Sequence, residues 1–174
     1  SEKPLRHMTG NDDKAFQGFV RLGHSNPVMW TDIFLYNHTA LLSTLSRFRR
    51  KLGSLADAIQ QEQLAHIRQR FSQARDKRKA IGDTLTSDIS PVQRDEQKVY
   101  TLLLPYLIAT LLMETVSDAA YGGTGLRGMT RILVTCGRLN PEWAIQAKHT
   151  LLPAFRAISE KLGYLGQLIQ TQQA

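Results

Sequence analysis

The chain has 174 residues, with 22 lysines and arginines against 15 aspartates and glutamates, for a formal net charge of +7. That length suits one domain with a real core, and a composition rich in Leu, Ala, Gln, Arg and Lys, without alternating strand patterns, predicts an all-α fold. The single Cys136 excludes an internal disulfide and fits a reducing compartment. The polar opening shows no secretory pattern, so a cytoplasmic protein is expected.

Residues 1–14 read as a disordered lead and 15–174 as one helical domain. Ala15 to Leu22 is a short apolar segment, closed by Gly23 and a His24-Ser25-Asn26 turn. Pro27 to Ile59 then reads as one long helix, with Asn26 as its cap and Pro27 at the first helical position. Within it Phe34, His38, Leu41, Leu45, Phe48, Leu52, Leu55 and Ile59 alternate by four and three, which places them on one buried stripe. Only Gly53 interrupts it, at about 1 kcal/mol relative to alanine. His38 on that stripe reads as a hydrogen-bonded core histidine.

From Gln61 to Gly82 a second helix is apolar at Leu64, Ile67, Phe71, Ala74 and Ile81 and otherwise basic. A third helix, opened by Ser90 and Pro91, becomes intensely apolar from Val99 to Val116, and Pro105 should kink it. The run falls short of the ~20 apolar residues of a membrane span and carries Glu114 near its end, so a buried core helix is expected. Gly123, Gly125 and Gly128 match a dinucleotide fingerprint literally, but a helix and not a strand precedes them, so they read as a flexible turn. Asn140-Pro141 opens a last long helix reaching about Gln170.

A pI near 9.8 raises nucleic acid or an acidic protein as a partner. The cations gather in Arg47, Arg49, Arg50 and Lys51, and again in Arg68, Arg70, Arg75, Lys77, Arg78 and Lys79. Both groups lie on helices with apolar opposite faces, so solvated faces are expected, and no stacking aromatics interleave the second group. No His, Cys or carboxylate set has metal-ligand spacing, and nothing identifies a nucleophile with a neighbouring base, so no metal or catalytic residues are assigned.

An offset of 110 residues superposes Gly18 on Gly128, Arg21 on Arg131, Leu41-Leu42 on Leu151-Leu152, Lys51-Leu52-Gly53 on Lys161-Leu162-Gly163, and Ile59-Gln60 on Ile169-Gln170. The final helix repeats the stripe at Leu151, Phe155, Ile158, Leu162, Leu165 and Ile169. Asn-Pro caps and tryptophans recur as Asn26-Pro27 with Trp30 and Asn140-Pro141 with Trp143. Two partial repeats, 15–82 and 91–174, are therefore expected, their long helices (about 27–59 and 140–170) packed about a pseudo-two-fold axis. The copies are incomplete at opposite ends, as in a fragment of a longer polypeptide.

Asn26-Pro27-Val28-Met29-Trp30-Thr31-Asp32-Ile33, running into the leucine stripe, resembles the helix start of the C-terminal helical domain of prephenate and arogenate dehydrogenases. Gly125-Leu126-Arg127-Gly128-Met129-Thr130-Arg131-Ile132 resembles the turn that precedes that start in the same family, which belongs to the helical superfamily of 6-phosphogluconate dehydrogenase. The resemblance implies NAD- or NADP-dependent oxidative decarboxylation of prephenate or arogenate on the way to tyrosine. It also implies an upstream Rossmann domain and a homodimer or pseudo-dimer formed through the long helices. It assigns the turn arginines, Arg21 and Arg131, to the substrate carboxylate, a pairing suited to the guanidinium fork, with Trp30 and Trp143 beside them. The pattern departs where the family's aspartate falls on Gly18 and Gly128, and where its His-Leu-Pro-His signature falls on Leu103-Leu104-Pro105-Tyr106. With no Rossmann domain in this sequence, the chain alone is expected to bind no cofactor and catalyse nothing. A basic module for nucleic acid or an acidic partner, and a purely structural domain, stand as alternatives.

Overall fold

A computed structural model describes residues 26–81, 96–116, 124–135 and 139–171. The expected lead, the Ala15 to Leu22 segment with Arg21, the Ser90-Pro91 cap, Gly123 and Cys136 lie outside these residues. The described residues form helices with no strand among them: α1 (Pro27–Tyr36), α2 (His38–Gln60), α3 (Leu64–Ala80), α4 (Glu96–Thr115), α5 (Thr124–Thr130), α6 (Ile132–Thr135), α7 (Glu142–Gln146) and α8 (Lys148–Thr171).

The first helix begins as its sequence dictates, with the Asn26 side chain accepting from the Val28 amide at 2.9 Å and proline in the first turn. The single helix expected from 27 to 59 is, however, two. Asn37 leaves helical geometry at φ −107°, ψ 19°, and its side-chain Nδ2 donates to the Ile33 carbonyl at 2.8 Å. A short polar side chain that bonds the preceding turn competes with the helical ladder. The helix expected over 140–170 is likewise divided, at Ala147. Asn37 and Ala147 stand 110 residues apart, the offset of the sequence matches.

The two long helices, α2 and α8, make the most extensive helix pairing, and they run antiparallel. Glu62, just past the end of α2, binds Lys148 at the start of α8 at 2.5 Å. Farther back Arg49 meets Ser159 at 3.4 Å, and a Cβ on Gly166 would lie 3.8 Å from Leu42 Cδ2. Residue numbers thus fall along α8 as they rise along α2. Glu62 adopts φ 55° where the chain reverses into α3, and the Gln63 amide closes the end of α2 on the Ala58 carbonyl at 2.9 Å, a left-handed helix cap of a common kind.

The stripe on α2 is buried along only half of its length. Leu52, Leu55 and Ile59 are sequestered, whereas Phe34, His38, Leu41 and Leu45 are half-exposed. The cause is what covers each end. α4 packs on α2 and α3, α6 on α3 and α4, and α7 on α2, α4 and α8, all around the Glu62–Lys148 end. The core there includes Leu52, Leu55, Ile67, Phe71, Tyr106, Leu107, Leu133, Leu151 and Phe155, with the Phe71 and Tyr106 rings edge-on at 5.1 Å. Pro105 lies inside α4 without ending it, and buried Thr110 and Thr115 donate to carbonyls one turn back. The glycine stretch expected as a turn is helical from Thr124 onward, so Gly125 and Gly128 belong to α5.

Candidate functional site

The residues expected to meet a substrate sit on separate elements. Arg131 forms the exposed one-residue joint between α5 and α6, where its amide donates to the Gly128 carbonyl at 3.3 Å and its carbonyl accepts from Val134 at 3.0 Å. Trp143, on α7, is half-buried against the core. Both elements pack on α4. Trp30 is half-buried on α1 with its ring tilted against Phe34 at 5.9 Å, and its indole Nε1 is buried without an acceptor. His38, at the start of α2, donates from Nδ1 to the Leu35 carbonyl at 3.1 Å and accepts the Thr39 hydroxyl at 2.9 Å. Both ring nitrogens are thus committed to local structure.

Where the basic clusters point is the main departure from the sequence reading. Arg70 and Arg78, expected on a solvated face, are 5% and 1% exposed. Arg70 grips Glu114 through Nε at 2.6 Å and Nη2 at 2.5 Å, and Nη2 also donates to the Lys51 carbonyl at 3.0 Å. Arg78 reaches through the core to the Arg127 carbonyl at 3.1 Å, tying α3 to α5. Arg47 donates to the Thr115 carbonyl at 3.2 Å, and Lys77 to that of Val116. Cations from two helices therefore converge on the C-terminal end of α4, where free carbonyls and the helix dipole favour positive charge. A carboxylate buried in so apolar a helix needs a cationic partner, and Glu114 was the one signal that could have located it. Arg49, Arg50, Arg68 and Lys79 keep their exposure.

The described residues do not fit a dinucleotide. Gly125 and Gly128 lie within a helix that follows a helix, whereas a pyrophosphate cradle needs a glycine turn between strand and helix. No group of three His, Cys, Asp or Glu side chains among the described residues could hold a metal ion, and no described helix is long and apolar enough to cross a membrane.

One end of the α2–α8 pair presents apolar surface. α1 buries none of its residues, and Val28, Met29, Ile33 and Tyr36 stand exposed, Tyr36 by 90%. Tyr164 and Leu168 on α8 are exposed near the same end. Residues 5–73, which include α1, α2 and the first part of α3, match the family model described as "Prephenate dehydrogenase, dimerization domain". The chain matches no curated protein and no solved structure.

Proposed function

We propose, from the match of residues 5–73 to the prephenate dehydrogenase dimerization-domain model, that the chain is the helical assembly and substrate-side domain of a prephenate or arogenate dehydrogenase. The family match over the first repeat carries this reading. In it, the chemistry of oxidative decarboxylation and the NAD or NADP it uses belong to a dinucleotide-binding domain outside the described residues, whose Gly125 and Gly128 lie within a helix. The contribution of this chain is to assemble the enzyme and to offer Arg131, or Arg21, to a substrate carboxylate, with Trp143 or Trp30 as the neighbouring apolar wall.

The α2–α8 pairing is the internal counterpart of a two-subunit interface. Three observations support this: both long helices break at positions 110 residues apart, they pack antiparallel, and Arg49 touches Ser159, its own counterpart at the 110-residue offset. Two copies related by a two-fold axis meet at equivalent residues only on the axis itself. α7 buries Ala144 and packs on α4, whereas its counterpart α1 buries nothing. An apolar patch of this kind marks an interaction surface, and a second copy of the chain is its proposed occupant.

The substrate role is tested in a polypeptide that joins this chain to a dinucleotide-binding domain. Losing a charge-assisted hydrogen bond costs about 1.5–3 kcal/mol, so Arg131→Ala should weaken prephenate or arogenate binding roughly ten-fold or more while the domain stays folded. Unchanged steady-state kinetics in both Arg131→Ala and Arg21→Ala would leave assembly as the only role.

A further inference from the structure

We infer that Arg78 is the positioning residue of Arg131, a buried cation of α3 that sets where α5 ends and the turn arginine begins. The reason lies in one carbonyl. A helix running on through residue 131 would give the Arg131 amide to the carbonyl of Arg127, four residues back. Here that amide donates to the Gly128 carbonyl at 3.3 Å, three residues back, and α5 ends at Thr130. Carbonyls in the last turn of a helix lack intrahelical donors and take others. The Arg127 carbonyl accepts from Arg78 Nη2 at 3.1 Å across 49 residues, so a guanidinium from α3 stands where the Arg131 amide would have been.

α5 has little of its own to fix it. Its seven residues include two glycines, which are poor helix formers, and a helix that short does not hold itself. Of its described side chains Thr130 alone is buried, and the Thr130 hydroxyl bonds within the helix, to the Leu126 carbonyl at 2.7 Å. Arg78, by contrast, is 1% exposed, and a planar guanidinium packed in the interior has little freedom to swing. α3 is in turn tied to α4, by Arg70 on Glu114 and by Lys77 on the Val116 carbonyl. A chain of fixed contacts thus runs from α4 through α3 and ends one helical turn before Arg131. The kinetic consequence rests on the substrate role proposed for Arg131; the placement of the joint does not.

Amide hydrogen exchange in the 174-residue chain reads the joint directly. Arg78→Met should speed exchange at Arg131 and Val134, whose amides close the two turns of the joint, by roughly ten-fold or more, and leave Leu55 on α2 and Leu162 on α8 unchanged. Arg78→Lys, which keeps a charge and a donor on a stem of similar reach, should restore slow exchange. In the polypeptide joined to a dinucleotide-binding domain, Arg78→Met should raise KM for prephenate or arogenate while kcat stays within about two-fold. It should add nothing in an Arg131→Ala background, because both changes remove one contact. Unchanged exchange at Arg131 and Val134, or equal loss of protection in α2 and α8, overturns the inference. So does a KM that Arg131→Ala raises and Arg78→Met does not, or effects that add in full. If Arg131→Ala leaves KM unaltered, the substrate reading fails, and the exchange result alone upholds or overturns the positioning role.

Discussion

Arg49 on α2 donates from Nε to the hydroxyl of Ser159 on α8 at 3.4 Å, across a sequence separation of 110 residues. Together with the Leu42–Gly166 approach and the Glu62–Lys148 ion pair, this contact fixes an antiparallel register. Cysteines replacing Leu42 and Gly166, in a Cys136→Ser background, should therefore be joined within one chain by a short bismaleimide. Cysteines replacing Leu42 and His149 should not, because 17 helical residues displace the second site by about 25 Å. Mass spectrometry of the monomer band after cross-linking reads the result.

Gly53 and Gly163 occupy matching places on the two long helices but meet different surroundings. A Cβ at Gly53 meets nothing within 4 Å, whereas one at Gly163 would lie 3.1 Å from the Arg49 guanidinium. Gly53→Ala should accordingly stabilise the protein by about 1 kcal/mol, the ordinary gain for a helix interior. Gly163→Ala should gain less, because Arg49 must shift from its place beside Ser159. Urea denaturation of both variants compares them directly.

In the Arg70–Glu114 pair Arg70 is buried and Glu114 largely so, so removing Glu114 strands the Arg70 charge in the core. Glu114→Ala should cost about 3–5 kcal/mol, far more than loss of an exposed pair. A double replacement, Arg70→Met with Glu114→Leu, should recover much of that loss, since a well-packed apolar pair avoids the desolvation penalty. Denaturant midpoints across the three variants measure the difference.

The helix class and the apolar periodicity were legible because they depend on local sequence. Leu52, Leu55 and Ile59 on α2, and Leu151, Phe155 and Ile169 on α8, are buried where the spacing places them. The breaks at Asn37 and Ala147 were not legible: alanine carries no stop signal, and Asn37 acts through a bond to its own preceding turn. Nor was the inward course of Arg70 and Arg78. Their partners Glu114 and Arg127 lie 44 and 49 residues away, and a helix with three cations in its last turn looks solvated until its neighbour is known. Half of the first stripe is only half-buried for the same reason, since burial depends on α4, which covers one end of the long pair only.

Glu62 holds its proton less tightly than an ordinary glutamate, because the Lys148 ammonium donates a hydrogen bond to it and adds a favourable charge. A depressed carboxylate pKa stabilises the fold above the unfolded value and loses that contribution as pH falls through the folded one. The Glu62–Lys148 contact should therefore strengthen the α2–α8 junction at neutral pH and vanish in acid. Titration of the Glu62 carboxyl by NMR should show its pKa moving up to the ordinary range in Lys148→Met. An unmoved pKa would deny the contact.

Assembly through the exposed α1 face is the central claim, and sedimentation equilibrium of the 174-residue chain with and without Ile33→Glu tests it most directly. Ile33 stands on α1 beside Met29 and Tyr36 and buries no core contact, so the charged variant should fold with unchanged helical circular dichroism. The account predicts that the unaltered chain sediments as a dimer and that Ile33→Glu sediments as a monomer. An unaltered chain that remains monomeric at about 100 μM, well above the micromolar Kd expected of a specific pair, would contradict it, as would a dimer that Ile33→Glu leaves intact.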